Sequence, residues 1–170
     1  PLLETLFGSW QAAAHYARVS NPYRPTTHAE LRFDTPDKPN AIIVGTTNAQ
    51  IRDIAPDYAA LAVAERILGG GPEARIPARL REKEGLSYSA GTYLQPGQID
   101  DLGSLGVYAI FPPQELPRVR RAFDEELARA IETGFTAEEV AHAKRALLEE
   151  RRTNRAQDGT LVAALVSQAY

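Results

Sequence analysis

The sequence predicts an α+β fold, a two-layer sandwich with helices on one face of a mainly antiparallel sheet. Two observations carry that prediction. Strand-like segments come in adjacent pairs and helical segments come in adjacent pairs, without strict strand-for-helix alternation. The longest apolar runs, such as Ala41-Ile42-Ile43-Val44, are strand-sized, and none approaches the roughly 20 residues needed to cross a bilayer.

Leu2 to Phe7 is a short apolar stretch ending at Gly8, the pattern of a helix tail closed by glycine. Residues 9–27 contain Pro22 and Pro25 and no sustained period, which makes them a long loop. From His28 to Asp34 the residues alternate, with Ala29, Leu31 and Phe33 on one face, predicting a half-buried strand. After the Pro/Asp/Asn turn of 35–40, Ala41 to Thr47 predicts a second, more buried strand. A helix follows, with Tyr58, Leu61, Ala62, Ala64, Ile67 and Leu68 as its stripe and Gly69-Gly70-Gly71-Pro72 as its stop.

A second helix is expected from about Glu73 to Glu84, with Pro77 in its first turns and Gly85 closing it. Leu86 to Leu94 and Ser104 to Phe111 read as two strands around a Pro/Gly/Asp loop. Residues 115–132 carry Leu116, Val119, Phe123, Leu127 and Ile131 at helical spacing, up to Gly134. Thr136-Ala137-Glu138-Glu139 is a capping box that opens a helix to about Arg155, and a last helix follows Asp158-Gly159. We expect residues 1–170 to form one domain, cut from a longer protein at both ends.

Composition narrows the chemistry. The formal net charge of −3 argues against nucleic acid as a partner. With no cysteine, neither a disulfide framework nor a thiolate metal site exists. His15, His28 and His142 fall in three kinds of element, and no pair of histidines is spaced to share a helix face with a glutamate. Glu139 and His142 are the exception worth weighing, and an exposed helix face accounts for them better than a metal. We therefore assign no metal ligand to this chain. The triple glycine lacks the Lys-Ser/Thr of a phosphate cradle and follows a helix, so it reads as a helix stop. Arg75, Arg79, Arg81 and Lys83, interspersed with Glu82 and Glu84, read as a solvated helix face held by ion pairs of about 0.3–0.5 kcal/mol each. Tyr88 shares strand parity with Leu86 and Leu94, so period-two logic buries it in the core.

A resemblance adds to these readings. Ile67-Leu68-Gly69-Gly70-Gly71, Ala74-Arg75-Ile76 and Leu80-Arg81-Glu82-Lys83-Glu84-Gly85-Leu86-Ser87-Tyr88-Ser89 follow one another in the order found in the second, non-zinc domain of the insulinase/pitrilysin family of zinc metallopeptidases. Leu6-Phe7-Gly8-Ser9-Trp10, Gly134-Phe135-Thr136-Ala137-Glu138-Glu139-Val140 and Leu165-Val166-Ser167-Gln168-Ala169-Tyr170 resemble the flanks of that domain. Two positions depart from the family pattern: Ala74 stands for a serine and Pro77 for a helix former, and both bear on the shape of the helix start.

The resemblance implies a ferredoxin-like variant that forms the lid of a clamshell peptidase. The inverted H-x-x-E-H motif and the zinc of the full enzyme would belong to a companion domain, in the same chain or a separate subunit. An unfolded peptide would be the substrate. Carried onto this chain, the family's substrate-reaching arginine and tyrosine are Arg81 and Tyr88. A tyrosine hydroxyl would donate to the carbonyl oxygen as negative charge builds on it, and the arginine fork would hold substrate carbonyls in register. This fragment alone is expected to be inactive. A non-catalytic assembly subunit of the same shape is the competing expectation; a small ligand-binding module has only fold class behind it. The resemblance favours the periplasm over the cytoplasm.

Overall fold

The computed structural model describes residues 2–11 and 13–168; Pro1, Ala12, Ala169 and Tyr170, the last two ending the C-terminal motif, lie outside the described residues. Helix α1 (Leu2–Phe7) closes where the Gly8 amide donates to Glu4 O at 2.8 Å. From Ser9 to Asn40 the described residues form no helix or strand. This strap is fastened by charge, most closely at Asp100. Arg18 donates to both carboxylate oxygens of Asp100 at 2.7 and 2.6 Å, and the Asn21 amide adds a third bond at 2.8 Å. The Arg18 hydrogen bonds, followed by that of Asn21, hold the Asp100 carboxyl down at about 2.

The sheet has three antiparallel strands in the order β1-β3-β2: β1 Ala41–Ala49, β2 Ser89–Gln95 and β3 Gly103–Phe111. Register places Ile43 and Ala90 on either side of Ala109. Ala41, Ile43, Ala90, Val107, Ala109 and Phe111 thus share one face and pack on Ile76, Leu80, Leu86, Val119, Ala122 and Phe123. The two-layer α+β architecture follows from this arrangement. The opposite face carries Ile42 and Val44, which are exposed. Strand β1 is therefore an edge strand with one solvated face, and not the more buried strand its apolar run suggests.

The strand expected over His28–Asp34 does not form, and Leu31 and Phe33 are exposed. Alternation reports which side chains share a face; it does not supply a ladder to pair with. No described strand pairs with this segment, whose charged contact is Glu30 with Arg120 on the helix opposite, at 2.7 Å.

Helix α2 (Tyr58–Leu68) packs beside β2 and ends where the Gly69 amide donates to Glu65 O at 2.9 Å. A Cβ on Gly69 would lie 2.4 Å from the Thr92 amide nitrogen, so the glycine run allows close approach as well as stopping the helix. The helix expected over 73–84 divides into a short α-turn, α3 (Arg75–Pro77), and a π-helix over Ala78–Lys83. The wider turn brings residues five apart together, and Arg79 Nε bonds Glu84 Oε1 at 2.7 Å while the Glu84 amide donates to Arg79 O at 3.0 Å.

A 3₁₀ turn (Pro113–Glu115) leads into α4 (Leu116–Thr133), which buries Val119, Ala122, Phe123 and Glu126 and ends at Gly134 with φ +69. Ile131, assigned to the buried stripe by spacing, lies in the helix's last turns and is exposed. Helix α5 (Ala137–Arg155) opens on the expected capping box: the Glu139 amide donates to Thr136 Oγ1 at 3.2 Å and the Thr136 amide to Glu139 Oε2 at 2.8 Å. Replacing Thr136 by Ala is expected to cost about 1 kcal/mol. Faster amide exchange confined to the first turn of α5, measured in the full-length protein, checks it. Helix α6 (Asp158–Gln168) packs on α5.

Candidate functional site

The segment joining the π-helix to β2 decides where two candidate residues lie. Gly85 takes φ +61, in the left-handed region that favours glycine. The amides of Leu86 and Ser87 then both donate to Leu80 O, at 2.7 and 3.2 Å. The chain therefore folds back on the π-helix and becomes a strand at Ser89, not at Leu86. The parity argument for Tyr88 fails for that reason. Leu86 is 1% exposed and belongs to the core, whereas Tyr88 is 82% exposed. Its backbone is nevertheless anchored, with the amide donating to Ile110 O at 2.9 Å. Below it, the buried Ser87 hydroxyl lies 2.7 and 2.8 Å from Ser89 O and Ile110 O.

Tyr88 and Arg81 line the same open cavity of ≈ 580 Å³. Its walls are the last turn of α2 with the triple glycine, Pro77, strand β2, Tyr93 and Tyr108 of the sheet, and Leu147 and Glu150 of α5. The Arg81 side chain is 62% exposed and approaches Glu82 only loosely, at 3.5 Å. No hydrogen bond engages the Tyr88 hydroxyl among the described residues.

The other arginines of this cluster are not on a solvated face. Arg75, with a side chain 9% exposed, donates from Nε and Nη2 to the two oxygens of Glu139 at 2.7 and 2.8 Å. It also bonds Gly134 O at 3.2 Å and lies 4.9 Å from the Phe135 ring centroid. Arg79 joins Glu84 to Glu125 and Glu126 of α4. The hydrogen bonds that Arg79 donates to Glu84 and Glu125 raise its already high pKa further. A sequence window cannot distinguish these roles from that of Arg81, because the acids that fix Arg75 and Arg79 lie mostly on distant helices.

Sequence reasoning missed the charged groups that line the cavity on the α2 side. Glu65 Oε1 accepts from Thr92 Oγ1 at 2.9 Å, and burial pushes the carboxyl pKa up. Arg66 is spent on Gly70 O at 2.7 Å and on Glu150 at 3.1 Å. An acid in the last turn of a helix opposes the helix dipole, but Glu132 of α4 shares that position, so the sequence alone does not single out Glu65.

No group of three His, Cys, Asp or Glu side chains gathers among the described residues. His142 meets Glu73 at 3.8 Å, and Glu139 is occupied by Arg75 and Thr136, so these residues do not fit a catalytic metal.

A family model described as the peptidase M16 inactive domain matches residues 1–147. A zinc protease of Streptomyces coelicolor, itself described as uncharacterized, is 36% identical over 84 residues, covering 49% of this chain and 18% of the relative. One from Mycobacterium leprae is 36% identical over 88 residues, covering 52% and 19%. The match thus spans under a fifth of these curated relatives. Among solved structures, a peptidase M16 inactive domain from Pseudomonas fluorescens aligns with TM-score 0.62 at 23% identity, over 76% of this chain and 30% of that one. A protease from Helicobacter pylori aligns with TM-score 0.65 at 16% identity, over 79% and 33%. At these identities the structural likeness speaks to the fold.

Proposed function

The chain belongs to the peptidase M16 inactive domain family, and on that premise we propose that it is the substrate-binding and transition-state-assisting lid of a zinc metalloendopeptidase acting on unfolded peptides. The observation that carries this reading is the pairing of Arg81 with an exposed, unengaged Tyr88 on the wall of one open cavity. A tyrosine held by its backbone with its ring in solvent contributes little to the fold. Its use lies with what enters the cavity.

Each residue has a task its chemistry suits. The Tyr88 hydroxyl donates a hydrogen bond to the carbonyl oxygen of the scissile peptide as negative charge develops there. The Arg81 guanidinium offers a planar fork of donors that grips substrate backbone carbonyls and fixes their register. Zinc, held by a companion domain, would supply Lewis-acid activation of carbonyl or water. Because donors and metal would sit on separate domains, catalysis would require closure.

Arg81 gives the direct test. In the full-length protein with its companion domain, Arg81→Ala is expected to lower kcat/KM about 10- to 100-fold, the effect of losing hydrogen bonds from a charged donor. Arg81→Lys keeps the charge, loses the fork and recovers part of the activity. Zinc content and melting temperature stay at wild-type values, since the side chain is exposed and loosely paired. Wild-type kcat/KM in Arg81→Ala would overturn the reading and favour a non-catalytic assembly role.

A further inference from the structure

We propose that Glu65 makes the cavity selective for peptides carrying a lysine or arginine, whose cation its carboxylate receives between the last turn of α2 and strand β2. The inference rests on the lid reading above and names the substrate class for that site.

Glu65 is a carboxylate that the fold does not need. One oxygen accepts from Thr92; the other makes no hydrogen bond among the described residues and lies against the Gly70 backbone, where a Cβ would come within 2.6 Å of it. Its position in the last turn of α2 sets it against the negative end of the helix dipole. Burial raises its pKa; the Thr92 hydrogen bond and the charge of Arg66 only partly offset this, and Glu150 pushes it further up. The nearest cation does not complete it, because Arg66 donates to Gly70 O and Glu150. A glutamine would keep the Thr92 contact and avoid the burial and dipole costs, so the charge has no structural purpose.

The site does favour an incoming cation. A lysine or arginine side chain of a peptide entering the cavity that Arg81 and Tyr88 line can bring its head to Glu65, beside Thr92 and the last turn of α2. Its head then forms a charge-assisted hydrogen bond with the open oxygen, in a recess where water screens less than at the surface. Glu150 and Arg66 of the same lining are paired with each other, which leaves Glu65 as the lining carboxylate without a cation of its own.

The test uses the full-length protein with its companion domain and matched unfolded peptides that differ at one position, lysine against uncharged norleucine. With the position scanned along the peptide, wild type is expected to favour lysine about tenfold in kcat/KM at one fixed distance from the cleaved bond, and Glu65→Gln to bring that ratio to about one. Glu65→Lys should reverse the preference toward glutamate, and the Gln variant should melt no lower than wild type. No lysine preference in wild type, or a preference that survives in Glu65→Gln, overturns the inference and leaves the lid reading standing. Failure of wild type to cleave any peptide overturns both.

Discussion

On the proposed lid reading, Tyr88→Phe in the full-length protein with its companion domain is expected to reduce kcat by about 10² to 10³ while KM changes little, as follows when one donor to a developing oxyanion is lost. The substitution removes a single hydroxyl. It creates no cavity, because the ring is exposed, and breaks no hydrogen bond within the described residues. Zinc content and stability should therefore match wild type, which separates chemistry from folding. The size of the effect depends on the medium. A hydroxyl in open solvent exchanges one hydrogen bond for another at little net gain, and only a closed, water-poor chamber makes the donor worth several kcal/mol. A disulfide or linker change that holds the two halves apart should consequently abolish both the activity and the difference between tyrosine and phenylalanine. Steady-state kinetics on one unfolded peptide reads both variants, and wild-type kcat in Tyr88→Phe would sink the transition-state role.

The distance between sequence and structure at this residue is instructive. Local punctuation was legible throughout: Gly8, the triple glycine, Gly85 and Gly134 each end a helix, and Thr136 with Glu139 forms the capping box that their spacing announces. These signals act within one turn of chain, so a sequence window contains both partners. Non-local features were not legible. The alternation over 28–34 found no strand to pair with, and the exposure of Tyr88 follows from two amides converging on Leu80 O, a fold-back that periodicity cannot encode. The resemblance named Arg81 and Tyr88 together, but only the cavity gives a physical reason to treat them as a pair. Glu65 was passed over because a lone glutamate on an amphipathic helix is unremarkable until its surroundings are known.

Arg75 shows the same limit from the side of stability, and Arg75→Ala should be the most damaging of the charge removals. The Glu139 carboxylate serves two structures at once: it completes the capping box at Thr136 and receives both donors of Arg75. The two sequence blocks around Arg75 and around Gly134 to Glu139 are thus one interaction, tying α3 to the start of α5. Removing the guanidinium leaves a partly buried carboxylate without its cation and strips the cover from Phe135. A loss of about 3 kcal/mol is expected, the lower end for breaking a buried pair. Amide exchange across 73–80 and 134–143 in the full-length protein should accelerate accordingly. Glu139→Gln separates the two duties, since an amide oxygen can still accept from the Thr136 amide while the charge is gone. The double variant should cost much less than the sum of the single ones. Acid supplies an independent check. Chiefly through the Arg75 hydrogen bonds, the Glu139 carboxyl is held at about 2 against an ordinary value of 4.5. A depressed carboxyl stabilises the fold above its unfolded value and loses that contribution as pH falls through the folded one. The stability gap between wild type and Arg75→Ala should therefore hold steady from neutrality to about pH 5 and close below it. A gap that stayed constant down to pH 2 would mean that Arg75 acts through packing on Phe135 rather than through its charge.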